Sequence, residues 1–188
     1  MRLLLYGLPG VGKTSLAPLL AREWGWPAFD SDKILEKETG MTPRQYFLEK
    51  GEACFRQLEK ELLAWLPDAC VVGIGGGALM HRPTLKTVQR GSLFVHLTCP
   101  LEPLFARLQA RGLPAFLSAQ DPWGSFVTLS KKRLPHYESL AMITVSTVGP
   151  LTSTLEQLRI LAWLAIHLET SFGSPHGANP MVPPSVLW

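Results

Sequence analysis

The sequence predicts an α/β domain built around a parallel sheet, and three observations point to it. The chain has 188 residues, 46% apolar and 18% charged, which suits one sizeable core and is too short for two domains of ordinary size. Short apolar runs lack polar alternation, the pattern of strands buried on both faces. Between them lie runs with apolar residues three and four apart, and strands alternating with helices require right-handed crossovers between parallel neighbours.

Taken in order, Leu3–Tyr6 is the first strand, followed by a glycine-rich turn and a helix over Lys13–Trp24 with Leu16, Leu19 and Leu20 on one face. Ala28–Asp30 is the second strand. A helix from Lys33 follows, with Ser31 or Asp32 suited to its N-cap. Glu52–Leu66 reads as a helix through Phe55, Leu58, Leu62 and Trp65. Ala69–Ile74, Leu93–Leu97 and Met142–Val145 complete the strands, and Leu155, Leu158, Leu161, Leu164 and Leu168 mark a closing helix. No internal repeat is present. Arg111–Ser125 has no clear period and contains Gly112, Pro114, Pro122 and Gly124, so a mobile, functional loop is expected there. The domain is expected over 1–169. Ser171–Trp188 holds four prolines and two glycines, and 170–188 is expected to be a poorly ordered tail.

Charge and cysteine usage exclude several classes. Eighteen Lys and Arg against 15 Asp and Glu give +3, and no basic run exceeds Lys131-Lys132-Arg133, so no nucleic-acid partner is expected. Leu3–Tyr6 is too short for a signal-peptide core, and Ile160–Leu168 is about half a membrane span. The expectation is a cytoplasmic, monomeric protein without a membrane partner. Cys54, Cys70 and Cys99 are an odd set without paired spacing, which argues against a disulfide framework or zinc. His81, His96, His136, His167 and His176 lack metal-ligand spacing.

The sharpest motif is Gly7-Leu-Pro-Gly-Val-Gly-Lys-Thr14, which satisfies G-x-x-x-x-G-K-[ST] between a strand and a helix. Glycines let the backbone curl so that its N–H groups point at a polyanion, and the helix N-terminus adds its positive end. Gly10, Val11, Gly12, Lys13, Thr14 and Ser15 are therefore the expected triphosphate cradle. Lys13 supplies charge to the β- and γ-phosphates and Thr14 a hydroxyl ligand to Mg²⁺.

Further polar groups suggest an acceptor. Asp30-Ser31-Asp32 follows the second strand, so both carboxylates belong at the sheet's carboxyl edge, where open α/β sheets bind ligands. One can hold Mg²⁺ through water and the other accept a proton from an attacking hydroxyl. A helix cap is the competing reading; beside a phosphate loop the chemical one is favoured. Gly75-Gly76-Gly77 implies close approach of another group or a tight turn. Arg56 and Arg133 are surface arginines singly, and a carboxylate fork if they meet.

The ordered combination resembles the shikimate kinases, from Met1 to about Glu169. The matching pieces are Gly7–Thr14, Phe29-Asp-Ser-Asp32, Gly51-Glu52 with Phe55-Arg56 and Glu59, Gly75–Gly77, and Arg133-Leu-Pro-His-Tyr-Glu138 before Ala141. The resemblance implies a nucleoside-kinase-like P-loop fold with a five-stranded parallel sheet, a substrate-binding helical region and a lid at about 111–125. It implies transfer of the ATP γ-phosphate to the 3-hydroxyl of shikimate, with Mg²⁺, in aromatic amino-acid (chorismate) biosynthesis. By position it gives Lys13 and Thr14 the phosphates and metal, Asp30 the metal through water, and Asp32 the substrate hydroxyls and the role of base. It gives Arg56 and Arg133 the substrate carboxylate, the glycines around Gly76 backbone contacts to substrate, and Arg107 adenine stacking. The lid departs from the family: where Arg-Pro-Leu-Leu is usual, this chain has Arg111-Gly-Leu-Pro-Ala-Phe-Leu117, with Leu113 before Pro114. Arg111 is then the expected phosphate-contacting arginine, unless that charge comes from elsewhere. The alternatives are another small-molecule kinase acting on gluconate or a nucleoside monophosphate, and a weakly active nucleotide-binding regulator.

Overall fold

The computed structural model describes residues 1–114 and 116–171, with side chains to residue 167. Among these, five strands form one parallel sheet: β1 (Arg2–Tyr6), β2 (Ala28–Asp30), β3 (Cys70–Gly73), β4 (Ser92–Thr98) and β5 (Ile143–Ser146). Their order is β2-β3-β1-β4-β5. The helices are α1 (Lys13–Trp24), α2 (Ser31–Thr39), α3 (Pro43–Ala64), α4 (Arg82–Gln89), α5 (Leu101–Arg111), α6 (Pro122–Leu140) and α7 (Leu151–Ser171), with a 3₁₀ turn over Ala78–Met80.

Burial explains the central strands. Leu3, Leu4, Leu5 and Tyr6 are fully buried, as are Val71, Val72 and Val95, because helices cover both faces of the sheet. From β1 the chain builds β2 and β3 on one side, then crosses to lay β4 and β5 on the other. The strand order therefore reverses at the carboxyl end of β1, the crevice where α/β sheets bind ligands. Among the described residues no helix is long and apolar enough to cross a membrane.

Strand positions agree with expectation to within a residue or two at each end, and α1 matches at both ends. Two corrections concern helix starts. The N-cap of α2 is neither Ser31 nor Asp32: Asp30 caps it, accepting from Asp32 N (3.1 Å) and Lys33 N (3.4 Å), so the helix starts at Ser31. The helix expected from Glu52 is the second half of α3, which begins at Pro43 and is interrupted by non-helical Gly51.

The region expected as loop to Ser125 is helical from Pro122 onward. Asp121 caps α6 through Oδ1, which accepts from Gly124 N at 2.9 Å, and proline fits a first turn where its missing N–H has no intrahelical partner anyway. Pro135 is also inside α6. Three breaker residues hid its period from a sequence reading, although Phe126, Ser130 and Tyr137 are buried along it. Helix α7 carries residues 170 and 171, and 172–188 of the expected tail lies outside the described residues.

Candidate active site

The loop after β1 is built to face an anion. Gly12 caps α1 with φ 105°, a conformation that favours glycine, and no side chain caps the helix. The first turn has no acidic residue and begins with Lys13, a charge placed unfavourably against the helix dipole unless an anion stands before it. Lys13 Nζ donates to the carbonyls of Gly7 (3.1 Å) and Leu8 (3.2 Å). Burial pushes the Lys13 ammonium down to about 8, with Asp32 and Asp30 pulling it up and Arg133 adding to the fall. Gly10 packs its backbone against Leu104 and Leu108 of α5, and Val11 is fully buried, so neither has room for a larger group. Gly10, Val11, Gly12, Lys13, Thr14 and Ser15 thus lie in one turn of chain at the switch point.

Asp30 is shared between two tasks. Its Oδ1 caps α2, and its Oδ2 accepts from Thr14 Oγ1 at 2.7 Å. The hydroxyl and carboxylate form a pair of hard oxygen donors suited to a Mg²⁺ that keeps most of its waters and takes phosphate oxygens. Among the described residues there is no cluster of three or more His, Cys, Asp or Glu able to cage a metal alone. Asp32, the second residue of α2, lines the cleft. Desolvation first, then the Asp30 carboxylate, raises its pKa above 3.8, opposed by Lys13.

The glycine triplet is where distant parts of the chain meet. A Cβ on Gly75 would sit 2.7 Å from Asp32 Oδ1. On Gly76 it would sit 2.7 Å from Arg133 Nη1 and 2.6 Å from Tyr137 Oη, and on Gly77 2.9 Å from Arg56 Nη2. Three successive glycines therefore touch the base candidate and the two arginines in turn, and no other residue leaves space for them. Gly75 N donates to Ser31 Oγ (2.7 Å), and Tyr137 Oη donates to the Gly76 carbonyl (2.6 Å). Arg56 donates to buried Glu59 at 2.7 Å. Burial raises the Glu59 pKa, with Arg56 opposing it.

Asp32, the glycine triplet, Arg56, Glu59 and Arg133 line a cleft of about 490 Å³ together with Lys13, Pro9, Phe47, Phe55 and Phe116. Lys13, Asp32, Arg56, Gly75, Gly76, Gly77 and Arg133 converge there, with Thr14 and Asp30 beside them at the phosphate loop. Arg107 lies apart on α5, donating to Thr147 O at 2.8 Å and Oγ1 at 3.3 Å, beside the loop that follows β5. Arg111 is exposed at the end of α5 and is not among the residues lining the cleft.

Sequence reading gave no role to several residues that line the cleft or stand behind its lining. Arg44 and Phe47 lie on the first half of α3, which carries no clear apolar period. Glu59 stands three residues from Arg56, a spacing that pairs side chains on a helix and was available as a signal. Tyr137 stands four residues from Arg133, on one face of α6, and would have been found had that segment been read as a helix.

The model of the family described as "Shikimate kinase" matches residues 9–160. Shikimate kinases of Symbiobacterium thermophilum and Thermobifida fusca are 33% and 38% identical, over 78% and 76% of this chain and 87% and 83% of theirs. In overall structure the chain is similar to a shikimate kinase from Acinetobacter baumannii in complex with shikimate. That match has a TM-score of 0.75 and 29% identity, and covers 91% of this chain and 93% of that one. A gluconokinase from Sinorhizobium meliloti shares the fold at a TM-score of 0.56 and 19% identity.

Proposed function

The chain belongs to the shikimate kinase family, an enzyme that passes the γ-phosphoryl of ATP to the 3-hydroxyl of shikimate, and we propose that the cleft at the β1 switch point carries that transfer with the residues named above. The observation that carries this reading is the glycine triplet, whose successive members touch Asp32, Arg133 and Arg56. From first to last glycine the backbone spans at most about 7 Å. An acid at the first glycine and guanidinium groups at the second and third thus lie within reach of one small ring bearing a hydroxyl and a carboxylate.

In this reading the loop amides of Gly10–Ser15 and the Lys13 ammonium hold the β- and γ-phosphates, and Arg107 faces the adenine end. Thr14 and Asp30 would hold Mg²⁺, Asp30 through water, and the bound ion would supply positive charge against the phosphates. Arg56 and Arg133 fork the acceptor carboxylate, Glu59 keeps Arg56 aimed, and the backbone of Gly75–Gly77 forms the floor. Asp32 orients the 3-hydroxyl and takes its proton; its raised pKa suits that task better than an ordinary carboxylate's would. Arg111 reaches the transferring phosphoryl when the segment after α5 folds over the cleft and excludes water. ATP as phosphate donor suits a cytoplasmic setting. A gluconate acceptor, the alternative small-molecule reading, is disfavoured by the lower similarity to the gluconokinase.

The test is ADP release with ATP, Mg²⁺ and shikimate, repeated for Asp32→Asn. We expect shikimate-dependent release in the parent. In the variant, kcat should fall by about 10²–10⁴, with shikimate binding retained in direct titration. Near-normal turnover by the variant would remove Asp32 as the base.

A further inference from the structure

We propose that Tyr6, a strand residue outside the cleft, is a positioning residue for the acceptor floor, acting through Tyr137 on Gly76. This deepens the site reading above and rests on it.

Tyr6 is fully buried on β1, directly before Gly7. Its ring is wedged on three sides. His96, its direct neighbour across the β1–β4 pairing, stacks on it at 5.3 Å and 10°. Phe94 and Tyr137 present edges at 6.0 and 5.5 Å. The ring is therefore held in one orientation, and from it the hydroxyl donates to the Tyr137 carbonyl at 2.9 Å.

That carbonyl needs a partner. It lies in the last turn of α6, where Ala141 N, its natural intrahelical donor, bonds Glu138 O instead. Tyr6 thus satisfies a backbone acceptor that the helix end leaves over, inside the core. The same residue, Tyr137, then sends its own phenol to the Gly76 carbonyl at 2.6 Å. Two hydrogen bonds in series therefore run from the strand that becomes the phosphate loop, through the end of α6, to the central glycine of the triplet. Gly76 has no side chain with which to fix its own peptide plane, and that plane forms the floor beside Arg133.

Removing the Tyr6 hydroxyl frees the end of α6 to shift, and Tyr137 with it. The loss falls on the acceptor side, because the phosphate loop keeps its own contacts: Lys13 to the Gly7 and Leu8 carbonyls, and Gly10 against α5.

The experiment is steady-state kinetics on Tyr6→Phe, Tyr137→Phe, the double variant and Arg133→Ala. Phenylalanine keeps the packed ring in place at both tyrosine positions. We expect each tyrosine variant to raise the shikimate KM about five- to twenty-fold, with the ATP KM and kcat within about twofold. The double variant should be no worse than the poorer single one, since the two bonds act in series. A role in stability alone would lower the melting temperature and leave the shikimate KM untouched. If Arg133→Ala raises the shikimate KM and Tyr6→Phe does not, the strut is wrong and the site stands. If neither variant moves it, the acceptor site is misplaced and the strut falls with it. If the single effects multiply in the double variant, the series arrangement is wrong. Should Tyr6→Phe fail to fold, an unchanged shikimate KM in Tyr137→Phe overturns the proposal by itself.

Discussion

Lys13 and Asp32 carry opposite charges into one cleft, and their surroundings move both pKa values toward neutrality. Lys13 is pushed down to about 8 by burial, so in the free enzyme it loses its charge as pH rises through that value. The profile of kcat/KM for ATP should therefore fall above about pH 8. The limb in kcat should lie higher, because bound phosphate stabilises the ammonium. Asp32 is raised, so its base form is lost as pH falls through a value above the ordinary 3.8. An acid limb should appear there in the parent and vanish from the residual activity of Asp32→Asn. A profile with no fall above about pH 8, and an acid limb no higher than an ordinary carboxylate's, would separate these groups from the chemistry. The motifs around Lys13 and Asp32 were legible in the sequence because each is contiguous and its chemistry local. The aim of Asp32 at Gly75 was not, because that contact spans two strands of the sheet.

At the scale of elements, the sharing of Asp30 between the α2 N-cap and Thr14 separates structure from chemistry in one experiment. Asparagine caps as well as aspartate, so Asp30→Asn should leave stability within about 0.5 kcal/mol while raising the Mg²⁺ concentration needed for half-maximal rate several-fold. Asp30→Ala should show the same Mg²⁺ effect and lose a further 0.5–2 kcal/mol or so in denaturant unfolding. Equal Mg²⁺ dependence in parent and Asp30→Asn would confine Asp30 to the cap. One oxygen of Asp30 caps α2 and the other accepts from Thr14, so the two readings that competed in the sequence are tested on one residue. Helix α6 was the element least legible, for a physical reason. Pro122, Gly124 and Pro135 mark breaks by local propensity, yet two of them fall in the first turn, and the third removes the donor that would face Lys131, an exposed residue. Burial of Phe126 and Tyr137 decided the matter over propensity.

For the whole molecule, excluding water from the transfer requires the cleft to close. Arg111 ends α5 exposed, while Phe116 and Arg44 line the cleft from different segments. If closure brings Arg111 to the phosphoryl group, Arg111→Ala should lower kcat at least tenfold or so, with the shikimate KM within about twofold. A kcat loss confined to Arg44→Ala would instead assign that charge to α3. Both variants are read in the same ADP-release assay. The order of motifs along the chain determined the parallel α/β architecture, the phosphate loop and the family, since each depends on neighbours in sequence or on the alternation of strand and helix. Tertiary structure alone decided that Arg56, Arg133 and Tyr137 close on a glycine triplet tens of residues away, and that a tyrosine of the first strand holds the end of α6. Side-chain direction on a helix is set by where the helix packs, and that placement arises only when the whole sheet has formed.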